Sequence, residues 1–340
     1  MNKICVVYTH GKLGDLIWQL PYIKAISDFH NQKITLIARP TTHAKILYKD
    51  LNYIDEIIYN TFKKKIYYII ELIKLWIIFK SKKFTHVYLL DKVNRTAISA
   101  KLSGIKNIIG VGVGNQKKWL TNKFFLSKDD QKLTYSEQSQ KFCKINNIKV
   151  NSFYPEIVIR KERLDSLSMN QYKSKHFKVS FCVDSLEEYK IWPEEYFSTL
   201  AKMLYKNNLG DLFFLISHPK NKSYVDKIIS LSDKNYFVDC SNMNLLEICK
   251  VILDSKFFVG NNTGPTNLAA ALNIKSFNLI SSSSLKENEF SKIVPILPDG
   301  YIDPINTTVK KVGDTFLKSR EEMKKITPQK VFAKISETLR

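Results

Sequence analysis

Residues 4–16 read ICVVYTHGKLGDL, an apolar run followed by a turn with two glycines and the start of a helical pattern. An apolar run such as Ile4-Cys5-Val6-Val7 is typical of a buried strand in a parallel sheet. Gly11 and Gly14 let the backbone of the turn approach a ligand closely, and the amino end of a helix favours anions. The turn has neither the G-x-G-x-x-G pattern nor a Walker A pattern, so it does not indicate a standard dinucleotide or P-loop site.

This alternation of strand and helix patterns continues through the whole chain. It is interrupted by a looser stretch from residue 148 to about 175 and then restarts. Since 340 residues suit two domains, we expect an α/β protein with two facing, doubly wound parallel-sheet domains, residues 1–165 and 166–340. Ligands are then expected at the carboxyl ends of the strands, in the cleft between the domains. The last helix, about 328–340, could pack back on the first domain.

The pattern predicts these elements in chain order. Strands are expected at 4–8, 34–38, 55–58, 86–90, 107–110, 177–183, 211–217, 235–239, 256–260 and 275–280. Helices are expected at 14–29, 41–49, 63–80, 95–102, 134–147, 193–206, 221–231, 243–253 and 264–272, and from 328 onward.

The charge balance is the most unusual feature of the composition. The chain has 53 Lys and Arg against 32 Asp and Glu, a formal net charge of +21. This surplus suggests an anionic partner: nucleic acid, a membrane surface or an acidic ligand. Only six of the cations are Arg, which argues against a dedicated reader of nucleic-acid bases. Residues 1–165 hold 29 basic and 13 acidic residues, and residues 166–340 hold 24 and 19, so the partner is expected on the first domain.

Cysteine and histidine usage indicates neither disulfides nor a zinc site. The five cysteines are scattered and form no C-x-x-C pair, so we expect reduced thiols in a cytosolic chain. The six histidines form no H-E-x-x-H pattern. The amino terminus lacks the architecture of a signal peptide, which favours a cytoplasmic location.

The segment 63–83 has two interpretations. Its apolar run, 66–79, is flanked by lysines and is too short and too polar to span a bilayer. The segment could be a helix packed on the sheet, with Glu71 and Lys74 as a surface pair. It could also be an interfacial helix with basic ends and aromatic anchors.

Three loops at predicted strand ends carry candidate site residues. Asp15 could cap the first helix or could act as a base that takes a hydroxyl proton. Lys190 precedes Trp192-Pro193 and could pair with a phosphate, or it could be an ordinary solvated lysine. The loop 259–264, VGNNTG, opens an Ala-rich helix, where amides and the Thr263 hydroxyl could face a diphosphate; it could equally be a βα turn with an Asn cap. The chain has no Asp-x-Asp, which argues against a metal-held diphosphate.

At these loops the sequence resembles the glycosyltransferase family 9 heptosyltransferases, which have the GT-B fold. Leu13-Gly14-Asp15-Leu16 followed by Pro21 is similar to the family's opening motif. Lys190-Ile191-Trp192-Pro193 is similar to its K-x-W-P, and residues 263–272 are similar to its D-T-G-P-x-H-L-A-A-A-L. A further similar segment is 88–96, whose basic residue meets an acidic sugar of the acceptor in the family. Arg95 stands at that position and could alternatively be a surface arginine at a helix start.

The resemblance implies an inverting, metal-independent transferase. Its donor would be an ADP-activated heptose bound to the second domain, and its acceptor an acidic, phosphorylated lipopolysaccharide inner core held by the first. We assign the base to Asp15, donor contacts to Lys190, Asn262, Thr263, Gly264, Asn267 and His218, and acceptor contacts to Lys12, Gly14, Arg95 and Lys92. We expect a monomer at the cytoplasmic face of the inner membrane, with no metal, no other cofactor and no nucleic-acid partner.

Departures from the family pattern fall on the donor side. The Asp and His of the family signature are Asn262 and Asn267 here. The family often has an acidic residue after the strand at 211–217, and this chain has Ser217-His218 instead. The loop after Ile280 is a run of serines and lacks the family's Gly-x-Thr-x-Pro. A different nucleotide sugar, a protein or capsule acceptor, or a membrane- or polyanion-binding protein without catalysis therefore remain alternatives.

Overall fold

The structure is a computed structural model that describes residues 2–62, 67–167, 172, 174, 177–232, 236–281, 283–288, 291–303 and 320–340. The chain divides into two units, Met1–Ile159 and Arg160–Arg340. The division falls before the short helix Lys161–Asp165, whereas the sequence suggested a break near residue 165. That helix contacts another helix of the second unit, which explains why it belongs there.

The first unit is built on a five-stranded parallel sheet. Its strand order is β3-β2-β1-β4-β5, as in half of a doubly wound fold. The strands are β1 Ile4–Val7, β2 Ile34–Ala38, β3 Ile54–Tyr59, β4 His86–Leu89 and β5 Asn107–Gly110. The helices are α1 Leu13–Ile17, α2 Leu20–His30, α3 Ala44–Leu47, α4 Tyr68–Lys82, α5 Asn94–Leu102 and α6 Tyr135–Ile145.

Helices α4 and α5 cover one face of this sheet. Leu75 and Phe79 of α4 and Ala97 of α5 pack with Val7 and Val87 of the central strands in one buried cluster. Small residues on α5 allow it to lie close to both α4 and the sheet. The predicted pair of Glu71 and Lys74 is present, with Nζ of Lys74 4.0 Å from Oε1 of Glu71. It is not a surface pair, because Glu71 is fully buried on the same stripe as Leu75 and Phe79.

The second unit is built on a six-stranded parallel sheet. Its order is β11-β10-β9-β6-β7-β8. The strands are β6 Lys178–Cys182, β7 Leu212–Ile216, β8 Phe237–Asp239, β9 Phe257–Asn261, β10 Ser276–Leu279 and β11 Ile293–Ile296. The helices are α7 Lys161–Asp165, α8 Glu194–Lys206, α9 Lys222–Ser230, α10 Leu245–Leu253 and α11 Gly264–Ala271, followed by Arg320–Lys324 and Pro328–Leu339.

The last helix packs within the second unit. Val331 and Ile335 are buried in the same cluster as Phe197 and Leu200 of α8. Phe181 of β6 is fully buried in that cluster, so truncating it to Ala is expected to cost about 3–5 kcal/mol.

Two local differences from the sequence-based expectation have clear causes. The single helix expected at 14–29 is two helices, because Pro21 lies in the first turn of α2 and cannot continue a helix from the preceding turn. Strand β11 was not predicted; its sequence contains Pro295, and the structure places it at a sheet edge, where proline is tolerated.

The five cysteines are free and buried, in agreement with the expectation of reduced thiols. Within the described residues, no helix is both long enough and apolar enough to cross a bilayer.

Candidate active site

The two sheet orders show where ligand-binding loops are expected in each unit. In the first sheet successive strands are added on one side of β1 and then, from β4 onward, on its other side. In the second sheet the same reversal occurs between β6 and β9. Loops that leave the carboxyl ends of such strand pairs diverge and form a crevice for ligands. Residues 9–15 follow β1, residues 91–95 follow β4, residues 184–190 follow β6, and residues 262–264 follow β9. The sequence motifs therefore lie at the switch point of each sheet.

Asp15 lies in the first turn of α1 and is paired with a histidine. The amino cap of α1 is Lys12, so Asp15 is not the cap residue. A carboxylate oxygen of Asp15 lies 3.7 Å from Nδ1 of His10, and its side chain is 31% exposed. The His10 ring stacks on Tyr8 at 5.0 Å and meets the edge of Tyr135 at 4.4 Å. These aromatic contacts hold the imidazole beside a carboxylate that solvent can still reach.

Asp91 connects the loops after β1 and β4. Its two carboxylate oxygens accept hydrogen bonds from the amides of Thr9, at 2.6 Å, and Val93, at 3.0 Å. Burial raises the pKa of the Asp91 carboxyl, while these amide bonds and the nearby His10 act in the opposite direction. The side chain of Gln116 donates to the Asp91 carbonyl at 2.8 Å. Asp91 thus fixes the position of the residue that precedes His10.

Arg95 is buried, so the alternative of a surface arginine does not apply. Its guanidinium donates to the Phe62 carbonyl at 2.5 Å, and Arg39 donates to the same carbonyl at 3.1 Å. Burial lowers the pKa of the Arg95 guanidinium, and the carboxylate of Glu71 opposes this effect. Glu71 itself accepts hydrogen bonds from the side chains of Asn60 and Thr61. The predicted acceptor-binding arginine therefore belongs to a buried network of charges.

The remaining predicted acceptor residues differ in exposure. Lys12 and Lys92 are exposed, and Gly14 is buried within α1. Gly11 also has a packing role, because a Cβ on it would lie 2.9 Å from Cδ of Arg39. Arg39 donates to the Thr9 carbonyl, so the turn after β1 is held closely against the arginine.

Lys190, the predicted phosphate-binding lysine, lies in a short 3-10 helix, Glu188–Lys190, between β6 and α8. Its side chain is 18% exposed, and its Nζ lies 2.5 Å from Oε2 of Glu187. Two residues later, Trp192 is fully buried and its indole NH donates to the Ile326 carbonyl at 2.7 Å. Pro193 occupies the amino-cap position of α8, which begins at Glu194. The buried tryptophan anchors the loop from which Lys190 projects.

Asn261 joins the two donor-side motifs. Its side-chain oxygen accepts a hydrogen bond from the Trp192 amide at 3.0 Å, and its side-chain nitrogen donates to the Asp184 carbonyl at 3.3 Å. Its own carbonyl accepts from the hydroxyl of Thr266 at 2.8 Å. Asn261 is fully buried, so these bonds compensate its desolvation. One residue at the end of β9 thus contacts the Lys190 loop and the Asp184 backbone through its side chain, and the start of α11 through its carbonyl.

The other predicted donor residues surround the start of α11. Thr263 is the amino cap of this helix, but its hydroxyl donates to the Asn261 carbonyl and does not cap the helix, so the alternative of a simple Asn cap does not hold. Asn262 accepts a hydrogen bond from Asn278 at 3.2 Å. Asn267 lies one turn further on, and its Oδ1 is buried without a hydrogen-bond partner among the described residues.

The acidic residue that the family often has after the strand at 211–217 is absent here. Asp184, from the end of another strand, lies near His218 instead. It follows β6, and its carboxylate accepts hydrogen bonds from the hydroxyl of Ser217, the amide of His218 and the side chain of Asn221. His218 is exposed, and its Nδ1 accepts from the Lys220 amide. The loops after β6 and β7 are therefore tied to each other.

Five residues at these loops were not selected as site residues from the sequence: His10, Asp91, Asp184, Glu187 and Asn261. Asp184 could have been found as an acidic residue directly after a predicted strand. Glu187 lies three residues before Lys190, a spacing that is common for ion pairs on a helical turn. Nothing in the local sequence indicates that His10 faces Asp15 or that Asn261 contacts Trp192, since these contacts depend on the tertiary fold.

Comparison with known proteins decides the family. The sequence profile of glycosyltransferase family 9 (heptosyltransferase) matches residues 72–289, more than half of the chain. The chain belongs to glycosyltransferase family 9. It is therefore a glycosyltransferase, as the sequence motifs indicated. No protein with a curated description matches the sequence.

Solved structures support the fold of this family 9 chain. It is similar to the E. coli ADP-heptose lps heptosyltransferase II, with 18% identity and a TM-score of 0.78 over 99% of this chain and 98% of the other. It is equally similar to a family 9 glycosyltransferase from Veillonella parvula, with 16% identity and a TM-score of 0.78 over 99% and 97% of the two chains. E. coli heptosyltransferase WaaC, solved with ADP-2-deoxy-2-fluoro heptose, matches at 15% identity and a TM-score of 0.73 over 99% of each chain. The prediction of a GT-B fold with two Rossmann-like domains is confirmed.

Proposed function

We propose that this family 9 glycosyltransferase moves a heptose from an ADP-activated donor to a hydroxyl of an acidic, phosphorylated glycolipid, the inner core of lipopolysaccharide. The observation that carries the donor side is the position of Asn261. Its hydrogen bond to the Trp192 amide holds the loop of Lys190 next to the amino end of α11. A cation and helix amides in one place suit a leaving diphosphate. The solved relatives named above include one with an ADP-heptose analogue bound.

The reaction is proposed to invert the anomeric centre in one displacement. Asp15 takes the proton of the acceptor hydroxyl as that oxygen attacks the anomeric carbon. The bond from this carbon to the diphosphate breaks, and ADP leaves with the electron pair. Lys190 and the amides at the start of α11 then stabilise the charge that develops on the diphosphate. His10 holds the carboxylate of Asp15 in place.

Diphosphate charge is proposed to be neutralised without a metal. The sequence has no Asp-x-Asp, and Lys190 is proposed to supply the positive charge beside the diphosphate. EDTA at a few millimolar is therefore expected to leave the rate of transfer unchanged. A loss of activity that Mg²⁺ or Mn²⁺ restores would contradict this part of the proposal.

The donor is tested by a thermal-shift screen of ADP, UDP, GDP and CDP and of their sugars. A ligand that binds the folded state raises the midpoint of unfolding by mass action. We expect ADP and ADP-heptose to give the largest shifts. A selective shift with a UDP- or GDP-sugar would identify that nucleotide sugar as the donor instead of ADP-heptose. The proposed transfer chemistry would still apply. Absence of a shift with every nucleotide would overturn the nucleotide-sugar function.

The altered donor loop gives a specific reason to include other sugars in the screen. Asn262 and Asn267 are neutral where the family signature has an acid and a histidine. Both still offer hydrogen bonds to sugar hydroxyls, but neither carries a charge. A donor other than ADP-heptose is therefore the second candidate.

A further inference from the structure

Helix α4 presents a large apolar face to solvent. Ile69, Ile73, Trp76 and Ile77 lie three or four residues apart on one side of the helix, opposite the buried stripe of Leu75. Ile69 is 69% exposed and Ile77 is 52% exposed. Scattered exposed apolar residues are normal, but a contiguous group of this size usually marks a binding surface. We call Ile69, Ile70, Ile73, Trp76, Ile77 and Leu102 the α4 face.

Helix α5 extends this face. The indole NH of Trp76 donates to the carbonyl of Leu102 at 3.3 Å, so the last residue of α5 lies beside the tryptophan. Leu102 is itself 58% exposed. The α4 face therefore spans two packed helices. The indole NH of Trp76 already has a backbone hydrogen-bond partner. Such rings are favoured where an apolar layer meets water.

Lysines surround the α4 face. Lys74 and Lys80 of α4 and Lys101 of α5 are exposed at its borders. In the sequence, Lys63, Lys64 and Lys65 precede the helix, at positions outside the described residues. The half of the chain that contains the face holds 29 basic and 13 acidic residues. The α4 face thus has an apolar centre and a basic rim. It is complementary to a partner in which an apolar layer lies beneath anionic groups.

A groove adjoins the face. It has a volume of about 340 Å³ and is lined by Tyr59, Asn60, Thr61, Lys74, Ile77 and Ile78. Ile77 belongs to both the groove and the face. The groove thus combines apolar walls with one lysine and several hydrogen-bonding groups, a chemistry that suits an anionic lipid headgroup next to its acyl chain.

We propose that the α4 face binds the surface of an anionic lipid bilayer. The aliphatic residues and Trp76 would enter the headgroup boundary, and the surrounding lysines would pair with lipid phosphates. A second copy of this chain is the main competing occupant, but two such faces would bring two basic rims together, and like charges repel. The proposal does not depend on the donor or on the role of Asp15. It would, however, bring the enzyme to a membrane-linked acceptor.

The direct test is flotation of the full chain on vesicles. Wild type is expected to float with vesicles of phosphatidylcholine and phosphatidylglycerol, weakly with phosphatidylcholine alone, and less at 0.5 M NaCl. The triple variant Ile69→Gln/Ile73→Gln/Ile77→Gln is expected to lose roughly tenfold or more in apparent partitioning, because three apolar side chains no longer enter the lipid. Phe124→Gln, an exposed aromatic of the same unit outside the α4 face, is the matched control and should float like wild type.

Two measurements keep the outcome clear if the triple variant is poorly folded. Brominated lipids are expected to quench part of the wild-type tryptophan fluorescence. In Trp76→Phe, the component that brominated lipids quench should be absent. Sedimentation without lipid reports self-association. Failure of wild type to float on anionic vesicles, flotation of a folded triple variant at the wild-type level, or a wild-type dimer that the triple variant abolishes would each overturn the proposal. Nucleotide-induced thermal shifts test the transferase separately, so the two proposals can fail independently.

Discussion

The Nζ of Lys190 lies 2.5 Å from a carboxylate oxygen of Glu187. The lysine proposed to bind the donor diphosphate is therefore already paired with an anion in the same loop. A diphosphate must compete with Glu187 for this cation, and the two anions repel each other. Glu187 is therefore expected to limit how strongly the proposed donor site binds a nucleotide.

Replacing Glu187 by Gln should therefore tighten nucleotide binding. The pair is partly exposed, so the gain is modest, about two- to fivefold in the Kd for ADP. Isothermal titration calorimetry measures it. Glu188→Gln removes the same charge from the neighbouring, exposed position and should leave the Kd unchanged. Equal effects of the two variants, or weaker binding in Glu187→Gln, would contradict this interpretation.

Loss of the Lys190 charge should slow sugar transfer. Lys190→Met keeps the length of the side chain but removes the cation that stabilises the departing diphosphate. Removing one such group typically lowers the rate by about 10²–10³-fold. Steady-state kinetics with the donor identified by the thermal-shift screen measures kcat and KM. Lys206→Met, at the exposed carboxyl end of α8, is the control. A rate within twofold of wild type would rule out this role for Lys190.

His10 should act through the position of Asp15. His10→Asn shortens the side chain and loses the stacking on Tyr8 and the edge contact with Tyr135, so the carboxylate of Asp15 is less well held. We expect kcat to fall about tenfold to a hundredfold, with little change in the KM for the donor, since misplaced catalytic groups reduce rates by such factors. His43→Asn changes an exposed histidine of the same unit. A change confined to KM would show that His10 has another role.

Acid should destabilise the fold through His30. Burial, and secondarily the neighbouring His86, lower the pKa of the His30 imidazole from 6.5 to about 4. Between these two pH values the unfolded chain holds a proton that the folded chain lacks, so stability decreases as the pH falls from about 6.5 to about 4. In His30→Gln, which keeps a hydrogen-bonding group next to the Tyr88 hydroxyl, the Tm should fall less over this range. Identical Tm profiles for this variant and wild type would disprove the assignment.

The strand and helix pattern was sufficient for the fold because the central strands, such as β1 and β6, are buried at nearly every position. Strand β7, Leu212–Ile216, is buried at every position and was expected within one residue at each end. The pattern failed where proline changes the local rules. Pro21 divides the first predicted helix, and Pro295 conceals an edge strand.

The candidate site was predictable only in part. Lys190 and Thr263 could be selected because their motifs end strands and begin helices. The contact between Asn261 and Trp192 joins residues 69 positions apart, and only the parallel pairing of β6 with β9 brings them together. The same holds for Arg95, whose guanidinium donates to a carbonyl 33 residues away in the sequence. Local patterns contain no information on such pairings.

The most direct test of the proposed chemistry is the rate of sugar transfer by Asp15→Asn. Asn has nearly the same shape as Asp but cannot take the proton of the acceptor hydroxyl. With an unchanged Tm and unchanged ADP binding, kcat is expected to fall by about 10²–10⁴-fold, the range typical of a lost general base. Transfer at a near-wild-type rate by a folded, nucleotide-binding Asp15→Asn variant would contradict this expectation.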